Sequence, residues 1–519
     1  MRRSVRTLAS LVALAAAPCL ADTPFSYDVS DLWFDPNESG WGINLAQQGD
    51  TVFGTLFVYG PDGRPRWYSA SAMTGHANAT TAGPGFYGTL AESTGPVQPG
   101  IFYTSDVRRR EVGTIAFETY NDNTADLSYV VDGVNVKKRV QRLTMKAANA
   151  TGEYVGFRSA RGCGTGNDPL SNQPATLRIL QSPSSFTMSS TVLNETCTYS
   201  GVPEHRGRIT GVKGTFSCTG QTPPGTFEIT NMNVTYLGFI ARLFTRTSAT
   251  CTMEARFSAL SPEGSLGSRA TVDSSDLWWN ENESGWGINF QQQDDIAFAT
   301  IFTYGGDGKP KWYSASDLRV RFTLAGGLPS FEGRLAESTG PGYSTAFNPA
   351  AVTRRDVGLF TATPVIGSPD QMNLLYYVDG VPYTKNVKRF TTRGNDPTGT
   401  YRGHYAMRNT CSGGGTGIFS EPVDFTISQS GGIFTMTATT SNNTCLYHGP
   451  LQQRGRMSFA QGNYLCTGNH PNAGTFRVSE IEVGQNGIIG QMVRGDQDPD
   501  TLAFANCTIG GRFAGVRPF

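Results

Sequence analysis

Apolar and polar positions alternate along most of this chain in short runs broken by turn residues, the period of half-buried β-strands. The first such series occupies 41–48, 51–59, 65–73, 86–92, 112–120, 125–131 and 134–143. Gln48-Gly49-Asp50, Pro61-Asp62-Gly63-Arg64 and Val131-Asp132-Gly133-Val134 mark tight hairpin turns between runs. A second series follows near 152–158, 175–181, 184–192, 206–211, 214–219, 225–231, 234–243 and 251–258. Seven or eight sequential strands with tight turns predict an antiparallel up-and-down meander. Closing it into a barrel removes its unpaired edges. No helical period stands out beyond the N-terminal segment.

The whole pattern then repeats. Residues 31–50, DLWFDPNESGWGINLAQQGD, match residues 276–295, DLWWNENESGWGINFQQQDD, at fourteen of twenty positions. The same offset aligns Trp67-Tyr68-Ser69-Ala70-Ser71 with Trp312-Tyr313-Ser314-Ala315-Ser316. Later, Arg206-Gly207-Arg208 matches Arg454-Gly455-Arg456. The expected organisation is a signal peptide over 1–21, a Trp-motif β domain over 22–147 and a four-cysteine β domain over 148–260. A linker over 261–275 leads to the second pair, over 276–394 and 395–519. The fold class expected is all-β: a tandem duplication in which each copy holds two small barrels or barrel-like meanders, the second disulfide-linked.

The N-terminus supports the first boundary. Met1-Arg2-Arg3, Arg6 and a short apolar run ending at Cys19-Leu20-Ala21 read as a secretory signal, so a secreted or periplasmic location is expected. Removing Arg2, Arg3 and Arg6 takes the 42 basic residues to 39 against 42 acids, a formal charge of −3. That balance argues against nucleic acid or an anionic membrane surface as the main partner. Eight cysteines remain, four per copy. Closure of the second meander favours Cys163 with Cys251 and Cys411 with Cys507. Cys197 then pairs with Cys218, and Cys445 with Cys466, one of three connectivities open to each copy.

Strand parity sorts the motif side chains. Trp41, Ile43 and Leu45 share one face, and Gly42, Asn44 and Gln48 the other. Trp67 shares a face with Ser69 and Ser71. An aromatic ring among amides and hydroxyls is the chemistry of a sugar site. The expected ligand set is therefore Trp67, Ser69, Ser71, Asn44 and Gln48, repeated as Trp312, Ser314, Ser316, Asn289 and Gln293. The competing reading makes these tryptophans core. Trp33 and Trp278 precede the first long run and could act as a lid or plug. Arg109-Arg110 and Arg354-Arg355 could hold an anion or pair with nearby acids.

Catalytic signatures are absent, and no histidine has a histidine counterpart in the other copy. That excludes a duplicated histidine-based triad or metal site, though not one confined to a single copy. Among the repeated acids, Glu38 and Glu283 are the hardest to dismiss, since each precedes Ser-Gly-Trp. Asp35 to Gly40 resembles the start of a calcium loop, but lacks its terminal acid and reads better as a hydrogen-bonded turn. No metal or cofactor is expected.

LWFDPNESGWGINLAQQGD and LWWNENESGWGINFQQQDD, each followed by a G-x-P-x-W strand (GRPRW, GKPKW), resemble a repeat found in secreted proteins of Gram-negative bacteria. The resemblance implies an envelope or secreted setting and supplies no catalytic residues. It departs from the L-W-W-N pattern at Phe34-Asp35. Together these features favour an exported, non-catalytic binding protein for a glycan or other small polar ligand. The alternatives are an extracellular polymer hydrolase using Glu38 and Glu283, and a module that binds or inhibits a secreted protein.

Overall fold

The structure is a computed structural model and describes residues 28–76, 83–97, 100–162, 171–249, 251–262, 273–321, 329–365, 368–411, 416–497 and 504–519. The expected signal segment and most of the linker lie outside them.

Each copy folds as two closed antiparallel barrels, and each barrel is an eight-stranded meander. Barrel 1 spans 31–142, barrel 2 spans 152–260, barrel 3 spans 276–389 and barrel 4 spans 399–516. The all-β class and the duplication are as the sequence predicts. The hairpin turns obey the same chemistry in both copies: Asp132-Gly133 and Asp379-Gly380 take left-handed φ values of 48° and 83°, and 51° and 84°. These match the right-handed twist of the strands they join.

Two local expectations change. Trp33 and Trp278 are neither lid nor plug. They lie in short first strands, Asp31–Phe34 and Asp276–Trp279, which close their barrels against Val134–Arg142 and Val381–Arg389. Their rings are 0 % and 1 % exposed, inside the barrels. The run expected over 206–211 is instead a hairpin. Strand Glu195–Arg206 ends at Gly207, which has φ of 61°, and Ile209–Cys218 returns.

Cys197–Cys218, Cys411–Cys507 and Cys445–Cys466 form disulfides. Cys411 and Cys507 are direct cross-strand partners in the pair that closes barrel 4. Cys251 is disulfide-bonded as well, while its expected partner Cys163 lies outside the described residues.

The Arg-Gly-Arg hairpin is the joint between the two barrels of a copy. Arg142 donates to Asp31 Oδ2 at 3.0 Å, with both side chains 1 % exposed. The same carboxylate oxygen accepts the Arg208 amide at 3.1 Å. A Cβ on Gly207 would stand 2.1 Å from it, so only glycine allows the approach. Asp276, Arg389, Gly455 and Arg456 repeat this joint in the second copy.

Removing one partner of such a pair strands a buried charge. Asp31→Ala is expected to cost roughly 3 kcal/mol in urea unfolding. Glu281→Ala, from an exposed pair with Lys388, should cost less than about 1 kcal/mol. Equal losses would contradict the joint.

Candidate functional site

The expected ligand set is buried where the two copies meet. Trp67 lies on the outer side of barrel 1 with its Nε1 donating to the Thr303 carbonyl of barrel 3 at 2.8 Å. Trp312 returns the contact to the Val58 carbonyl at 3.2 Å. Trp67 packs on Phe302 and Tyr304, and Trp312 on Phe57 and Tyr59. The indoles are 2 % and 5 % exposed, so neither can stack on a ligand. This corrects the expectation. Parity grouped Trp67 with Ser69 and Ser71; that face is the outside of barrel 1, and a second barrel covers it.

The amides belong to the same seam. Gln48 donates to the Phe390 carbonyl and accepts from the Thr392 and Arg393 amides. Gln293 does the same to Leu143, Met145 and Lys146. Each glutamine thus clamps the chain leaving the other copy's barrel. Asn44 and Asn289 are 1 % and 3 % exposed within the interface. Ser69, Ser314 and Ser316 are half-buried, and Ser71 is exposed at the edge.

Glu38 and Glu283 are also structural. Glu38 accepts from Trp41 Nε1 at 3.1 Å and from Lys138 Nζ at 2.6 Å. Glu283 accepts from Trp286 and Lys385 in the same way. The space beside Glu38 is about 10 Å³, closed by Tyr343 and Phe347 of barrel 3, with room for one water at most. The neighbouring glycines, Gly40 and Gly285, have φ of 129° and 126° and lie under Val352 and Val107 of the opposite copy. The Glu-Ser-Gly-Trp motif is therefore a docking point for the other copy.

One arginine of each repeated pair is held by acids. Arg110 bridges Glu92 and Asp132, and Arg355 bridges Glu337 and Asp379. Asp35 accepts the amide of Asn37, and Asn280 accepts that of Asn282, so the suspected calcium loop is a turn that an amide closes equally well. The only group among the described residues with metal-ligand spacing is Glu195, Cys197 and Cys218, and its sulfurs are joined to each other.

Two unassigned features remain, both where the copies differ. The first is a cavity of about 80 Å³ where barrels 2, 3 and 4 meet, lined in part by Arg208, Tyr236, Asp273, Gln293, Glu480 and Glu482. Glu480 is 6 % exposed and has φ of 55°, a left-handed conformation that suits Asn231 at the matching position (φ 51°) far better. Tyr236 of barrel 2 donates to its carboxylate. Burial pushes the Glu480 carboxyl up to about 7 against the pull of Tyr236 and Arg389, and Glu482 and Asp273 push in the same direction as burial.

The second feature is the mouth of barrel 2, a shallow, open cavity of about 630 Å³. Arg158, Ser171, Val192, Leu193, Asn194, Glu195, Gly220, Gln221 and Thr222 line it. Arg158 shares the inward parity of Tyr154 and Ala160, and its Nε is buried without a hydrogen-bond partner. Desolvation lowers its pKa, with only partial compensation from Tyr199 and Glu195.

The sequence reading missed Arg158 and Glu480 because it weighted what the copies share. The usable signal was the opposite: Arg158 stands where the second copy has Tyr405, and Glu480 where the first has Asn231. No protein-family model and no curated protein matches the chain.

Glu480 makes stability depend on pH. Its folded carboxyl holds a proton more tightly than the unfolded chain does, so it costs nothing at pH 4. The cost appears as pH rises from the unfolded glutamate value and is complete above the folded value near 7. Glu480→Gln should therefore gain roughly 3 kcal/mol relative to wild type between about pH 4 and pH 8.5. Urea midpoints at the two pH values measure this; an unchanged difference would refute it.

Proposed function

We propose that the chain is an exported, non-catalytic protein that binds a small polar ligand, glycans being the favoured class, at a barrel mouth. The observation that carries this reading is the open cavity of barrel 2, lined by hydroxyl, amide and charged groups. Ligand sites of β-barrels commonly lie at such mouths. Export is supported by the disulfides and by the N-terminal sequence, and among the described residues no helix is long and apolar enough to cross a membrane. The resemblance to secreted Gram-negative repeats points the same way.

The hydrolase reading is weaker. Its two glutamates are held by a lysine and a tryptophan each, and the space beside Glu38 admits no substrate. No particular observation favours a protein-inhibitor role.

A glycan array on the chain starting at Asp22 is expected to give binding that Gln221→Trp, which fills the mouth, reduces at least tenfold. Trp279→Phe, a half-buried ring away from the mouth, should leave it unchanged. Polysaccharide turnover abolished by Glu38→Gln with Glu283→Gln would overturn the non-catalytic reading.

A further inference from the structure

The two four-cysteine barrels are built alike, and comparing them isolates one anomaly. Each holds one inward arginine near a matching tyrosine. In barrel 4 it is Arg494, whose Nη1 donates to Tyr447 Oη at 3.1 Å and approaches both sulfurs of Cys445–Cys466 at 3.6 Å. The Tyr405 and Tyr464 hydroxyls add their electrostatic support. In barrel 2 the arginine enters from a different strand, as Arg158. Phe216 replaces Tyr464 there, leaving Tyr199 as the matching phenol. Arg158 makes no hydrogen bond or ion pair among the described residues. Glu195, the one carboxylate whose charge reaches it, turns instead into the 220–222 turn, where Thr222 binds it through both its amide and its hydroxyl.

An inward guanidinium without a partner is expensive to keep unless something outside the fold satisfies it. Its planar fork matches the paired oxygens of a carboxylate. Around it, Ser171, Asn194, Gln221 and Thr222 present hydroxyls and amides to the same space. The rim adds an apolar group: Leu193 is 74 % exposed at φ of 53°, where the matching hairpin of barrel 4 carries Thr440, Ser441 and Asn442. A bulky residue held in that conformation is an outlier of the kind that collects at ligand sites.

Building on the binding reading above, we infer that the mouth of barrel 2 is a site for a hydroxylated carboxylate of the uronic-acid class. Arg158 receives the carboxylate, the polar rim receives the hydroxyls, and Leu193 covers the apolar face of the ring. In barrel 4 the Arg494 fork is already engaged, Nη1 donating to Tyr447, although its Nε is buried unpartnered as well.

Calorimetric titration of the full chain with D-galacturonate, D-galactose and acetate tests this, using wild type, Arg158→Met and Phe216→Tyr. Galacturonate should bind at least tenfold more tightly than either galactose or acetate. Arg158→Met should lose at least tenfold of that binding while remaining as stable to urea as wild type, because an unpaired charge has been removed. Phe216→Tyr, which offers Arg158 an internal partner, should weaken it too and keeps the test alive if the first variant misfolds. Galactose bound as well as galacturonate and indifferent to Arg158 would overturn this inference but leave a binding protein. Acetate bound as tightly as galacturonate would overturn the sugar-acid class. No binding of any of the three, with no glycan bound on an array, would overturn both readings.

Discussion

Strands Thr51–Tyr59 and Ile296–Tyr304 are apolar on both faces, and the assembly depends on covering the second one. Leu56 and Val58 fill barrel 1, while Phe57 and Tyr59 project from it. Ile301, Phe302 and Tyr304 repeat this in barrel 3. A barrel has water outside unless something else is placed there. Here the other copy is placed there, and the main contacts of the Trp-motif barrels come in reciprocal pairs, as a self-complementary interface favours. Trp67 and Trp312 exchange carbonyls, Gln48 and Gln293 exchange chain termini of the barrels, and Val352 and Val107 exchange the glycines of the Trp motif.

This constraint explains what the repeated residues are for. Asp31 fastens barrel 1 to the Arg-Gly-Arg hairpin of barrel 2. Glu38 fixes Trp41 and Lys138 at the end that receives the opposite loop. A residue kept in both copies of such a pseudo-symmetric body is most simply one the interface needs twice. The freedom to carry chemistry lies with residues that the two copies do not share. Arg158 and Glu480 are of this kind, and burial disfavours the charged form of both.

The barrels were legible because alternation, turn residues and cysteine spacing are local signals. The hairpins at Asp132-Gly133 and Asp379-Gly380 follow from two residues each. The short strands of Trp33 and Trp278 were not legible, since four residues give no period. The outer face was misread for a different reason. Parity assigns a side chain to a face, and the sequence of Trp67-Tyr68-Ser69 carries nothing about what lies beyond that face. The run TVFGTLFVY did carry a hint: it is nearly continuous in apolar residues, the pattern of a strand buried on both sides. The site at the mouth of barrel 2 was invisible because it depends on which partner Arg158 lacks, a property of three-dimensional neighbours.

The central claim is that the motif tryptophans build the body and are closed to solvent. Six of the seven tryptophans are at most 7 % exposed, and Trp279 alone is half-buried. Acrylamide quenching of the folded Trp279→Phe variant tests this most directly. The account expects a single, weakly quenched population, with strong quenching only after unfolding. A fraction near two of six, quenched like free indole and lost in Trp67→Phe with Trp312→Phe, would contradict it.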